Sequence, residues 1–162
     1  MQNNLELWDT SLPNELLYDG CASSDIQYVE SLTGKRFPTI YKNLMLIQDG
    51  GYVKKDTFTY YDSSRMINMN GGIGMMLHMN SLDTSVRSMI ITKPEFLPDE
   101  LIPFADDGGG NLTCFDYREN PDTDEPSITF WCCGEADGEN THFIANNFEE
   151  FINMLHECED DI

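Results

Sequence analysis

The spacing of apolar positions changes twice along the chain. Residues 1–22 show no clear period and are broken by Pro13 and Asp19-Gly20, so an irregular N-terminal segment is expected there. Ser23-Ser24-Asp25 then reads as a helix start. Ile26, Val29 and Leu32 give an apolar stripe at three-residue spacing, and Gly34 ends it. Phe37-Pro38 opens a second helix, because proline is pre-set for the first helical turn. Its face is Tyr41, Leu44, Met45 and Ile47, and Asp49-Gly50-Gly51 should stop it with a left-handed glycine cap.

Beyond this point the period shortens to two. Thr57 to Tyr61 reads as a strand of aromatic and β-branched residues, residues 65–70 as a second strand, and Asn70-Gly71-Gly72 as a turn. Residues 73–79 fit a strand or a buried loop, and 85–92 fit a helix or a strand. Pro94, Pro98 and Pro103 punctuate an extended passage. Strands are expected at Leu101 to Ala105, Leu112 to Tyr117 and Ser127 to Cys133, with a short one at Thr141 to Ala145. A helix closes the chain: Asn147 caps it, Glu150 completes a capping-box pattern, and Phe148, Phe151, Ile152 and Leu155 share a face.

Helices first, strands in the middle and a helix at the end predict an α+β fold rather than alternating βαβ units. The expectation is a single domain over residues 1–162. It has a mainly antiparallel twisted sheet flanked by helices, the C-terminal helix packed on the sheet, and an acidic tail at 157–162. A chain of 162 residues can bury roughly 70% of its unfolded surface in one core. A hydrophobic fraction of 40% argues against disorder in spite of a net charge of −20.

That charge is lopsided. From Pro94 onward the chain carries nineteen of its 29 carboxylates and one basic residue, Arg118. Such a field selects cationic partners and repels nucleic acid and anionic lipid. The N-terminus has neither a basic nor an apolar leader-like stretch, and no apolar run reaches the ~20 residues of a membrane helix. A cytoplasmic location is therefore expected, with no nucleic-acid or membrane partner.

The chemistry of sites is sparse. Five cysteines, Cys21, Cys114, Cys132, Cys133 and Cys158, lack framework spacing and fit reduced thiols. Zinc would want two short-spaced pairs, and beyond Cys132-Cys133 the nearest extra ligand is His142, across an acidic loop, so no metal site is expected. The Asp106 to Asn111 loop holds three glycines but no lysine follows, and its acids lack calcium-loop spacing; a structural turn is the reading. No nucleophile–base pair stands out, so neither an enzyme nor a cofactor is expected.

Three motifs in order carry a resemblance. The first is Glu30-Ser-Leu-Thr-Gly34, Phe37-Pro38, Tyr41 and Asp49-Gly50-Gly51. The second is Leu101-Ile-Pro-Phe-Ala-Asp-Asp-Gly-Gly-Gly-Asn111 followed by Cys114, and the third is Ala145, Asn147, Phe148, Phe151 and Leu155. Together they resemble the SUKH superfamily, named for the yeast Smi/Knr cell-wall regulators and their bacterial relatives. Asp49 stands where asparagine is commoner and Asn147 where serine is; both keep the turn and cap chemistry.

The resemblance implies an α+β domain without catalytic residues. It implies an immunity protein that binds and neutralises a secreted or contact-delivered bacterial toxin, itself a nuclease or other nucleic-acid-targeting enzyme. The partner is expected to be a basic toxin domain, and the protein a monomer or weak dimer. The expected contacts are acids of the anionic half: Asp106, Asp107, Asp122, Asp124, Glu125, Glu135, Asp137 and Glu139. A regulatory protein-binding scaffold of the yeast type is the alternative, and a small carboxylate hydrolase the third reading.

Overall fold

The computed structural model describes residues 4–136 and 138–158. Its helices are α1 (Ser23–Thr33), α2 (Thr39–Ile47), α3 (Val86–Ile91) and α4 (Phe148–Met154). Its strands are β1 (Thr57–Asp62), β2 (Ile67–Gly72), β3 (Met75–Met76), β4 (Leu101–Asp106), β5 (Leu112–Asp116), β6 (Ser127–Trp131) and β7 (Thr141–Ala145). The last five strands form one antiparallel meander in chain order, while β1 and β2 form a separate hairpin. This is the expected single α+β domain, with the C-terminal helix packed against the sheet.

Each motif residue has a local task. The Glu30 carboxylate accepts a hydrogen bond from the Phe37 backbone N–H at 2.7 Å, which ties the end of α1 to the start of α2. The Asp49 carboxylate accepts from the Met79 N–H at 2.8 Å and so fixes two loops to each other. Gly50 sits at φ 79°, and a Cβ there would stand 2.7 Å from the carbonyl oxygens of Met76 and Leu77. Only glycine meets both demands.

Four sequence expectations are corrected in detail. Helix α2 ends on Gln48 in extended conformation rather than on a left-handed glycine; the positive-φ glycines follow in the loop. Ile47 lies off the buried face, at 49% exposure. Asn70-Gly71-Gly72 is strand, not turn. Gly71 pairs with Phe58, and the ring of Phe58 occupies the space a side chain would need, 2.5 Å from the ideal Cβ position. Asn147 caps α4 through the Glu150 N–H at 2.8 Å, but the Glu150 carboxylate turns to Asn146 instead of closing a box. The N-terminal segment is also less irregular than its sequence suggests. It forms 3-10 turns at Asn4–Leu7 and Asn14–Leu16, and Leu7 and Trp8 join the core.

The main core lies between one face of the sheet and helices α1, α2 and α4. Alternation puts Phe115, Ile128, Phe130, His142 and Ile144 on that face, where Ile26, Val29, Tyr41, Leu44, Phe148 and Phe151 meet it. Its centre is aromatic: Phe104 stacks on Phe115 at 4.3 Å, and Tyr41, Phe148 and Phe151 surround the pair. The hairpin extends this core beyond β7, with Phe58 and Tyr60 packed on Phe130. The strap 53–57 is bridged on both flanks, Trp8 to Val53 and His156 to Thr57.

Candidate functional site

Only half of the second face of the sheet is covered. Leu101, Leu112, Cys114 and Trp131 point outward, and Leu97 and Met89 from the passage before β4 pack over them. Further along, Asp116, Ser127, Thr129, Thr141 and Phe143 take the outward positions and floor a groove of about 640 Å³. Its rim is Arg118, Glu119, Asn120, Thr123, Glu125 and Asn146. Phe143 lies in it at 56% exposure, because its neighbours His142 and Ile144 take the inward positions of β7.

The electrostatics of the groove follow from one pairing. Arg118 binds the Asp116 carboxylate through Nε at 3.0 Å and Nη2 at 2.7 Å, and Thr129 Oγ1 donates to it at 2.7 Å. Burial pushes Asp116 up, yet the hydrogen bonds from Arg118 and Thr129 outweigh it and hold its carboxyl below the usual range. The single cation of the acidic half is thereby consumed. Glu119 and Glu125 on the rim make no ion pair among the described residues. Glu125 is raised by burial and then by Asp124 and Glu149, which shows α4's first turn adding to the same negative rim.

The acids named from sequence separate into two groups. Asp122, Asp124 and Glu125 lie in the β5–β6 loop, beside the groove. Lys35 Nζ and Arg36 Nη2 donate to the backbone carbonyls of Pro121 and Asp122, so this loop is pinned while its carboxylates stay exposed. Asp106 ends β4, and Asp107, Glu135 and Glu139 lie in the β4–β5 and β6–β7 loops, at the opposite end of strands that each span on the order of 13 Å. Asp137 lies outside the described residues. Asp107 is occupied internally, accepting from the N–H groups of Gly109 and Asn111 and from the Asn111 amide. That makes the glycine loop a built turn. Asp116, Glu119, Phe143 and Glu149 were not among the sequence candidates; strict alternation along β7 was the signal for Phe143.

At the β6–β7 end, Cys132, Glu135 and His142 bring one ligand atom each to within 4.8 Å of one another. His142 Nε2 stands 3.3 Å from both Glu135 oxygens, with its side chain 3% exposed. Sequence spacing gave no reason to join these three.

The carboxylates also set a pH dependence. Burial raises Asp49, Asp106 and Glu125 in the folded state. A raised carboxyl contributes stability that is full below its unfolded value and is lost as pH climbs through the folded one. Acidification from pH 7 toward the top of the carboxylate range should therefore raise the melting temperature at low salt, aided by relief of a net charge of −20. Further acidification should reverse the gain as Asp116, held low, is protonated. A melting series across pH that falls monotonically from pH 7 would contradict this.

None of the curated proteins compared matches the chain. Among the described residues, no helix is long and apolar enough to cross a membrane. A model of the SMI1 / KNR4 family (SUKH-1) matches residues 20–154, spanning α1 through α4 and every strand of both sheets. Glu30, Asp49-Gly50 and the capped α4 perform the turn and tether tasks that their place in the motifs requires, and the chain belongs to the SMI1/KNR4 (SUKH-1) family.

Proposed function

We propose that this protein is an immunity protein that captures a basic toxin domain in the open groove on the outer face of β5, β6 and β7. Family membership supports a non-catalytic immunity or regulatory role. The observation that carries the reading further is Phe143, an aromatic ring exposed on the groove floor beside the rim carboxylates Glu119 and Glu125. An apolar anchor inside a polar rim is the anatomy of a protein-binding patch. The acids around it match the cationic groove that a nucleic-acid-directed toxin needs for its own substrate. The free thiols Cys21, Cys114, Cys132, Cys133 and Cys158 suit a reducing cytosol, where the producer would need protection.

The division of the acids makes the proposal specific. Asp122, Asp124 and Glu125 steer the partner, whereas Glu139 at the far end does not. Replacing those three by Lys should slow association with the toxin encoded beside this gene by at least about tenfold at low salt and flatten its salt dependence. Replacing Glu139 by Lys should change the rate far less. Stopped-flow association measured across ionic strength reads both, with thermal melting as the control for folding. Equal effects at the two ends would remove the groove from the interface.

A further inference from the structure

We propose that Cys132, Glu135 and His142 form a zinc site at the seam between the β1–β2 hairpin and the β6–β7 end of the sheet. The register brings them together. Phe130 pairs with His142 across β6 and β7, and Cys132 is the next inward position after Phe130. The Cys132 N–H donates to the Asn140 carbonyl at 2.8 Å and so continues that hairpin. The turn that follows returns Glu135 to the same point.

The distances suit a tetrahedral ion. Donors at about 2.0–2.1 Å from zinc stand roughly 3.3–3.4 Å apart, and His142 Nε2 lies 3.3 Å from Glu135 Oε1 and Oε2. The Cys132 sulfur is within 4.8 Å of both partners and needs only a small closure. Glu135, at 20% side-chain exposure, sits on the turn and can supply that movement and an entry path. Imidazole, thiolate and carboxylate together favour a borderline ion over calcium or magnesium. Three protein donors leave a fourth position for water.

The surroundings point the same way independently of the three ligands. Tyr60 packs on the His142 ring at 5.0 Å. Asp62, the next inward residue of β1 after Tyr60, is buried. Its Oδ2 has no hydrogen-bond partner among the described residues and reaches Arg65 only at 3.7 Å. Asp62 makes no hydrogen bond to His142, but its unpartnered oxygen is a buried acceptor of the kind that holds the second ring N–H of a metal-bound histidine. A buried His–Glu ion pair with a bystander thiol is the competing account, and it requires no metal.

Titration of the metal-free protein with Co²⁺ alone separates the two. Zinc-like binding at micromolar Co²⁺ should give sulfur-to-metal charge-transfer absorption in the near ultraviolet together with tetrahedral bands in the visible. Cys132→Ser should abolish the charge-transfer band, and Glu135→Gln should weaken binding by at least about tenfold. Cys133→Ser and Cys158→Ser should leave the spectrum unchanged. Zn²⁺ alone should raise the melting temperature of the wild-type protein and not of Cys132→Ser, since a ligand that binds only the folded state stabilises it. Absence of the charge-transfer band in the wild type, its persistence in Cys132→Ser, or its loss in Cys133→Ser would each overturn the assignment. Glu135→Gln changes a partly exposed side chain on a turn, so a ligand test remains if the cysteine variant fails to fold.

Discussion

Phe104→Ala should cost about 3–5 kcal/mol of stability, the range for truncating a buried aromatic ring. Phe104 is fully buried and stacks on Phe115 at 4.3 Å, with Tyr41, Phe148 and Phe151 all within 6 Å of its centroid. These rings come from α2, β4, β5 and α4, so no single element can shift to fill the hole. Domains of ordinary stability hold about 5–15 kcal/mol, which makes this one change a large part of the whole. The melting temperature should drop by roughly 6–20 °C. Leu82→Ala, at 87% exposure, should leave it almost unchanged. Chemical denaturation of both variants measures the difference. A loss under about 1 kcal/mol for Phe104→Ala would mean that the aromatic cluster is not the centre of the core.

Phe143→Ala should show the opposite profile. The side chain is 56% exposed on an open face, so its removal should change stability by no more than about 0.5 kcal/mol. If the groove is the toxin-binding surface, the same change should weaken binding by about 2–4 kcal/mol, or roughly 30- to 1000-fold in Kd. The loss should appear mainly as faster dissociation, because anchors act after encounter. The charge reversals in the β5–β6 loop should act mainly on association. Calorimetry and surface-binding kinetics with the purified toxin domain separate the two effects. An unchanged dissociation rate in Phe143→Ala would place the interface elsewhere on the molecule.

Much of the fold was legible because it is written in local chemistry. The stripe Ile26, Val29, Leu32, the Pro38 entry into α2 and the Asn147 cap each use short-range rules, and the strands from β4 to β7 stand out as short apolar, β-branched or aromatic runs between turn residues. The errors arose where a distant residue decided the outcome. Gly71 reads as a turn residue, yet it is a strand position kept empty for Phe58, 13 residues earlier in the chain and directly opposite it across the hairpin. Residues 85–92 stayed ambiguous until Ser85 and Ser88 capped each other, with Ser88 N–H to Ser85 Oγ at 3.0 Å.

The site was legible only in part. Counting acids located a negative half-chain but could not say that the β4–β5 and β5–β6 loops leave the sheet at opposite ends. That depends on strand order, which sequence spacing does not contain. Phe143 could have been found, since inward His142 and Ile144 force it outward. Spacing offers His142 beside Cys132 only as a candidate set aside across the acidic loop; the register of β6 against β7 and the turn at Glu135 are what bring the three together, and spacing rules for metal ligands do not contain either.

The strap between Val53 and Thr57 has a consequence for how the protein is made. One flank is closed by Trp8 and the other by His156, near the two extremes of the chain. The ribosome releases the partner for Val53 before Val53 itself, and the partner for Thr57 only 99 residues after Thr57. Until residue 156 has emerged, the Thr57 N–H and C=O lack that partner, and an open backbone pair at the start of β1 invites pairing with other chains. The seam between the hairpin and the strap would then close only after α4 has formed its cap and residue 156 has emerged, so its closure would follow assembly of the sheet rather than precede it.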